Sequence, residues 1–218
     1  MNPDLDAARF EALWRRRIPS PPAATAGAVH ADLCRRLGGP DRRFHNLNHI
    51  GDCLNRFDRV APLLANPDAV ELAIWFHDAV YVPGDAGNER RSTELFLSYS
   101  DGADRLFRRR VCALILTTRH QRQAPEGDRG FIEDIDLAGF GGPWEEFMRQ
   151  GDLLREEFAA QPDAQYYAGQ VWFLGFLKRR RWFFSTKYFR ERYEAQAQEN
   201  LDRLLGLLAA QGYRPAPG

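Results

Sequence analysis

The stretch AIWFHDAVY, residues 73 to 81, sets His77 and Asp78 side by side in an otherwise apolar run. An ionised carboxylate in such surroundings is unfavourable by several kcal/mol, on the order of what a buried charge costs, unless it is paired or bound to a cation. Neighbours on a helix point about 100 degrees apart, so the two are poor partners for each other, yet both can reach a cation lying off the helix flank. Two further stretches supply matching chemistry. FHNLNHI carries His45 and His49 four residues apart, a spacing that lets two imidazoles on one helix face approach a common centre. EDIDLAG carries Asp134 and Asp136 between an apolar start and a glycine-rich exit. Together these give an H…HD…D set of cation donors. Taken alone, His77 and Asp78 also fit a core histidine bonded to a capping aspartate near a helix end.

The elements that must hold these side chains read as helices throughout. DLDAARFEALWRRR places Leu5, Phe10, Leu13 and Trp14 on one side, and the Pro-rich IPSPPAATAG sets it off as a peripheral arm over about residues 1–20. A second helix runs through AVHADLCRRLG to the Gly38-Gly39-Pro40 breaker. A third runs through NLNHIGDCLNRFDRVAPLL with Leu47, Ile50, Leu54 and Phe57 inward. The fourth starts at Asn66-Pro67-Asp68, where Asp68 and Glu71 resemble a capping box, and its pattern continues to Pro83-Gly84. This segment is apolar nearly all round, which marks a central helix. RRSTELFLSYS and DRLFRRRVCALILTTRH follow, the latter with Leu106, Val111, Leu114 and Ile115 at helical spacing. WEEFMRQGDLLREEFAA carries an apolar face of Trp144, Phe147, Leu154 and Phe158, and two more helices fill the last third. No alternating strand pattern persists and no repeat is found, so the fold class is all-α.

Bulk composition narrows the function. Thirty basic and thirty acidic residues cancel in a chain of 218, leaving no global field for a nucleic-acid polymer or an anionic membrane. Cys34, Cys53 and Cys112 are odd in number and show no C-x-x-C pairing, so reduced, mostly buried thiols are expected. The N-terminal segment has no apolar core of signal-peptide length, and no stretch approaches the roughly 20 apolar residues of a membrane span. The expectation is a single cytoplasmic domain over 1–218, with about 144–208 as C-terminal helices that either finish the core or pair two copies as a homodimer.

His49, the His77-Asp78 doublet and Asp134 resemble the signature of the HD superfamily of metal-dependent phosphohydrolases. RRFHNLNHI, AIWFHDAVY, NERRST, LTTRH and EDIDLAGFG, in that order, are similar to a small branch of predicted phosphohydrolases in it, and YYAGQVWFLGFLKRRRWFFSTKYF fits that branch's C-terminal helices. The likeness spans roughly residues 8 to 208. It implies a compact helical bundle that binds at least one divalent cation through two histidines and two aspartates and hydrolyses a phosphate ester or anhydride.

By this resemblance the metal ligands are His49, His77, Asp78 and Asp134. His49 is preferred to His45 because a branched apolar residue, Ile50, follows it. Asp136 competes with Asp134, since the branch carries D-x-D followed by Leu. Imidazole and carboxylate suit manganese, iron, cobalt, nickel or zinc, with magnesium completing the candidate set. A bound cation acidifies water and neutralises charge developing on a phosphoryl group. Glu89, His120 and Asp136 are the candidates for proton transfer or water orientation, with Ser92 weaker, and His45 for contact with substrate.

Each of these has an ordinary structural alternative: a solvated helix start for Glu89, a helix C-terminus for His120, a hydrogen bond for His45. The run Lys178 to Arg181 offers a contact for substrate phosphate, with a basic helix end or solvated face the commoner reading, and Trp172, Phe173, Phe176, Trp182 and Phe183 around it read as core in preference to a base-stacking platform. The expected substrate is a small phosphorylated molecule, nucleotides included. Two other functions compete: a di-iron oxygenase of the same superfamily, which must recruit His45 and His120 because His30 lies outside the motifs, and a metal-stabilised module that binds a nucleotide without turnover.

Overall fold

The computed structural model describes residues 7–19 and 25–214; Leu5 and most of the Pro-rich linker lie outside these. Among the described residues ten α-helices follow one another: α1 Ala7–Arg17, α2 Ala26–Leu37, α3 Leu47–Val60, α4 Pro67–Phe76, α5 Asn88–Tyr99, α6 Arg105–Ile115, α7 Asp128–Leu137, α8 Trp144–Glu157, α9 Asp163–Lys178 and α10 Lys187–Ala210. Among the described residues there is no strand, so the all-α expectation holds. No helix among them is long and apolar enough to cross a membrane.

α4 is the hub, as its composition requires. All eight of its residues from Ala69 to Phe76 are buried, and it packs against α1, α3, α5, α6 and α7. A helix apolar on every side can be satisfied only by neighbours on every side. α1 is one of them. Phe10, Leu13 and Trp14 are almost wholly buried, with Phe10 stacked on Trp14 and edge-on to Trp75, so the helix expected as a peripheral arm belongs to the core.

Two details of α4 differ from the sequence pattern. Pro67 stands in the first turn, but no capping box forms: Asn66 makes no side-chain cap, Asp68 pairs with Arg16 and Arg17, and Glu71 pairs with Arg9. These ion pairs tie α1 to the start of α4. The helix also ends at Phe76, well before Pro83. Arg42 causes this, because its guanidinium donates to Asp78 O at 2.8 Å and Ala79 O at 3.3 Å, while Val80 N donates to Ser92 Oγ at 3.0 Å. Carbonyls and amides that would continue the helix are taken by side chains.

α3 begins later than its pattern allows. Asn46 is the N-cap, its side-chain oxygen accepting from Asn48 N and His49 N, so His45 lies outside the helix. Leu106 in α6 is exposed and Phe107 is buried in its place. In the C-terminal helices Phe183 is core, whereas Trp172 and Trp182, expected inside, are exposed. No disulfide joins the three cysteines; Cys53 is buried and Cys34 and Cys112 are half-buried.

The Asn46 cap fixes the first turn that carries His49. Replacing it with alanine is expected to destabilise the protein by about 1 kcal/mol, read as a lower urea midpoint with an unchanged slope; an unaltered midpoint would mean the cap is not formed.

Candidate metal centre

Helices α3, α4 and α7 meet at one point, and four side chains converge there. His49 comes from the first turn of α3, His77 caps the C-terminus of α4, Asp78 stands in the turn after it, and Asp136 comes from the end of α7. Their donor atoms alternate around a ring. His77 Nε2 lies 3.0 Å from Asp78 Oδ2, which is 3.6 Å from His49 Nε2; this atom is 3.1 Å from Asp136 Oδ1, which is 3.6 Å from His77 Nε2. Ligands about 2.1 Å from a common ion lie about 3.0 Å apart in an octahedron and about 3.4 Å apart in a tetrahedron. Two sides of the ring match the octahedral separation and the other two are about 0.2 Å longer than the tetrahedral one.

Hydrogen bonding supports the same fit. His77 Nε2 and Asp78 Oδ2, although 3.0 Å apart, have no hydrogen-bond partner, and both atoms are buried. Buried polar atoms are ordinarily paired, and two that approach without bonding are placed as ligands of a shared cation are placed. The other nitrogen of His77 is committed: Nδ1 donates to Ile74 O at 2.8 Å, which directs Nε2 into the ring. The helix end is what makes this possible, since the turn after Phe76 brings His77 and Asp78 to one point where a continuing helix would splay them.

Asp134 is elsewhere. Asp134 Oδ1 accepts from Ser185 N, and Oδ2 from Thr186 N and the Thr186 hydroxyl, each at 2.7 Å. It is wholly buried and anchors the N-terminus of α10, where backbone N–H groups and the helix dipole favour an anion. Burial pushes its pKa up to about 7 against the pull of those three donors. Two residues along a helix are about 200 degrees of rotation, so Asp136 faces the ring while Asp134 faces away. The expectation for Asp134 is therefore corrected: the fourth donor of the cluster is Asp136.

His120 abuts this donor. Its Nε2 is 2.9 Å from Asp136 Oδ2, and its Nδ1 faces Glu133 Oε1 at 3.7 Å. Its backbone is left-handed, with φ of 53°, an uncommon conformation away from glycine that neighbours must enforce. Arg180 does so by donating to His120 O at 3.1 Å while pairing with the buried Glu133, also at 3.1 Å. Of the basic run, Arg180 thus turns inward instead of forming a solvated face. Burial opposes charge on the His120 ring, yet Asp136 and Glu133 carry its pKa up to about 9.

For His49, burial is likewise outweighed, by the Cys53 sulfur and Asp136, and its pKa rises to about 10. Burial also works against ionised Asp78 and Asp136, but the surrounding histidines hold both well below the usual carboxylate range.

His45 stands beside the ring without a place in it. Its Nδ1 is 2.6 Å from Glu157 Oε2, while Glu157 Oε1 accepts from Phe44 N and His45 N, each at 2.9 Å. Tyr81 packs on the imidazole, with ring centres 4.1 Å apart. Glu89 lines the same cavity; burial, with some help from Asp78, raises its pKa. Ser92 serves the backbone at Val80.

Sequence reasoning missed Glu157, Glu133, Arg180 and Cys53. Only Cys53 was within reach of a spacing argument: it is four residues beyond His49, and its sulfur lies 3.7 Å from His49 Nε2. With His49 and Asp136 it makes a second donor group compact enough to hold an ion.

Compared with family models, curated proteins and solved structures, the chain matches none of them.

Glu157 is buried and holds the entry to α3. Removing it as Glu157→Ala leaves three donors without an acceptor and is expected to cost about 2–3 kcal/mol at neutral pH. Burial alone would raise this carboxyl's pKa, but His45 and the two backbone donors bring it below the ordinary 4.5. Its stabilisation is therefore fully present above pH 4.5 and is lost as pH falls through the lower folded value. Urea titrations should show the gap between wild type and variant closing in acid; a gap independent of pH would contradict this role.

Proposed function

We propose that the protein is a metal-dependent phosphohydrolase of the HD type, with a divalent cation held by His49, His77, Asp78 and Asp136. One observation carries the reading: two imidazoles and two carboxylates form a ring with sides of 3.0–3.6 Å, and two of its buried atoms lack any other partner. Two mostly buried carboxylates facing two imidazoles call for positive charge, and this donor set suits manganese, iron, cobalt, nickel or zinc. A bound cation supplies Lewis acidity for the phosphoryl oxygens and acidifies water, the chemistry that phosphate-ester hydrolysis needs.

The chain's own residues divide the remaining work. His120, held between Asp136 and Glu133, positions Asp136 and is not available as a mobile base, because both its nitrogens face carboxylates. Glu89, with a raised pKa and access to the cavity, is the group that can hold a proton and pass it to a leaving oxygen. His45 is fixed by Glu157 and Tyr81 at the cavity wall, where it contacts the substrate.

The test is phosphate release from a panel of phosphate esters and nucleotides with manganese, cobalt, magnesium or zinc. The expected result is turnover that depends on the cation and falls about 100-fold or more in Asp78→Ala and Asp136→Ala. Absence of cation-dependent release across the panel would overturn the proposal.

A further inference from the structure

The cavity that reaches the donor ring is much larger than a phosphoryl group requires. Its volume is about 1010 Å³, at the upper end of small-molecule sites. From His49, Asp78 and Asp136 it extends between α8, α9 and α10. Of its charged lining residues away from the ring, Asp52, Arg149 and Asp152 are exposed, and Arg56 and Arg155 are half-buried. The residues that wall it more deeply are buried or half-buried: Phe147, Leu154, Phe173, Leu174, Leu204 and Leu208.

Apart from Glu157, α8 contributes little to the packing of the fold. Phe147 is its only buried residue, and Leu153 and Leu154 stay half-exposed on the cavity side of the molecule. An amphipathic helix whose apolar face meets a chamber instead of a neighbouring helix leaves that face to be covered by something else. A polar marker lies on the same wall: Tyr166 Oη is buried and has no hydrogen-bond partner.

Resting on the phosphohydrolase reading, we propose that the substrate is an amphiphilic phosphate ester, its phosphoryl group at the donor ring and a long aliphatic chain in the chamber. Continuity of the chamber with the ring selects this occupant. The buried and half-buried lining is mostly Phe, Leu and Tyr, with Gln150, Arg155 and Gln170 the few polar side chains among them, so most of the wall offers contacts to an aliphatic chain and little of it offers partners to the ring edges of a nucleobase. Each polar edge left unmatched there costs roughly 5- to 150-fold in affinity. A methylene gains about 4-fold by leaving water. Tyr166 Oη, buried and without a partner on this wall, is suited to an oxygen of the substrate.

The experiment is calorimetric titration of the full manganese-loaded chain with n-alkyl phosphonates from methyl to octyl, which are not hydrolysed, beside turnover of the matching n-alkyl phosphates. The dissociation constant should fall about 3- to 4-fold per added methylene over at least four carbons, with kcat/KM rising in parallel. In Phe173→Ser, and independently in Leu154→Ser, octyl phosphonate should weaken about 10-fold, and the loss should grow with chain length. Esters that are hydrolysed with no dependence on chain length would overturn this inference and leave the phosphohydrolase reading standing. A nucleoside monophosphate binding more tightly than octyl phosphonate would overturn it as well. Failure of every phosphonate to bind, with no ester hydrolysed, would overturn both.

Discussion

Two mostly buried carboxylates, Asp78 and Asp136, face two imidazoles at the point where α3, α4 and α7 meet, and the rest of the structure is arranged around the charge they impose. Bare, such a pair of anions in an apolar setting would favour separation of the helices that carry them. Although burial opposes it, Asp78 and Asp136 raise the pKa of His77 well above the ordinary imidazole value, the direction expected of a cluster that attracts positive charge. The apolar shell of α4 serves this end: it holds the donors on a rigid helix terminus and limits competition from water.

The donors are aimed by groups that do not belong to the ring. His77 is turned by the Ile74 carbonyl, His49 by the Asn46 cap, and Asp136 by His120. Arg42 ends α4 at the residue where His77 and Asp78 must leave the helix. Glu133 and Arg180 keep His120 in its left-handed conformation, which links the end of α9 to the site. Glu157, from α8, does the same for His45. The C-terminal helices thus hold the side chains that flank the donors, besides walling the chamber.

Much of this is legible in the sequence, for physical reasons that also explain what is not. Helical periodicity and the Gly and Pro punctuation locate the helices, and a His-Asp pair in an apolar run announces a charge that needs a partner. The choice between Asp134 and Asp136 is different. α7 is buried on both faces, so the apolar pattern does not say which aspartate turns towards α3 and which towards α10; the amides of Ser185 and Thr186, some 50 residues on, decide it. Arg42 likewise overrides a pattern that would carry α4 onward. Glu157 and Arg180 look like any charge on a surface helix, and only the fold brings them inside.

The central claim is that His49, His77, Asp78 and Asp136 are the ligands of one cation. The most direct measurement is an anomalous difference map from crystals grown with manganese. The expected result is a peak inside the ring, about 2.0–2.3 Å from His49 Nε2, His77 Nε2, Asp78 Oδ2 and Asp136 Oδ1, with Asp134 still bonded to Ser185 and Thr186. A peak coordinated by Asp134 in place of Asp136, or no peak between the two histidines, would contradict it.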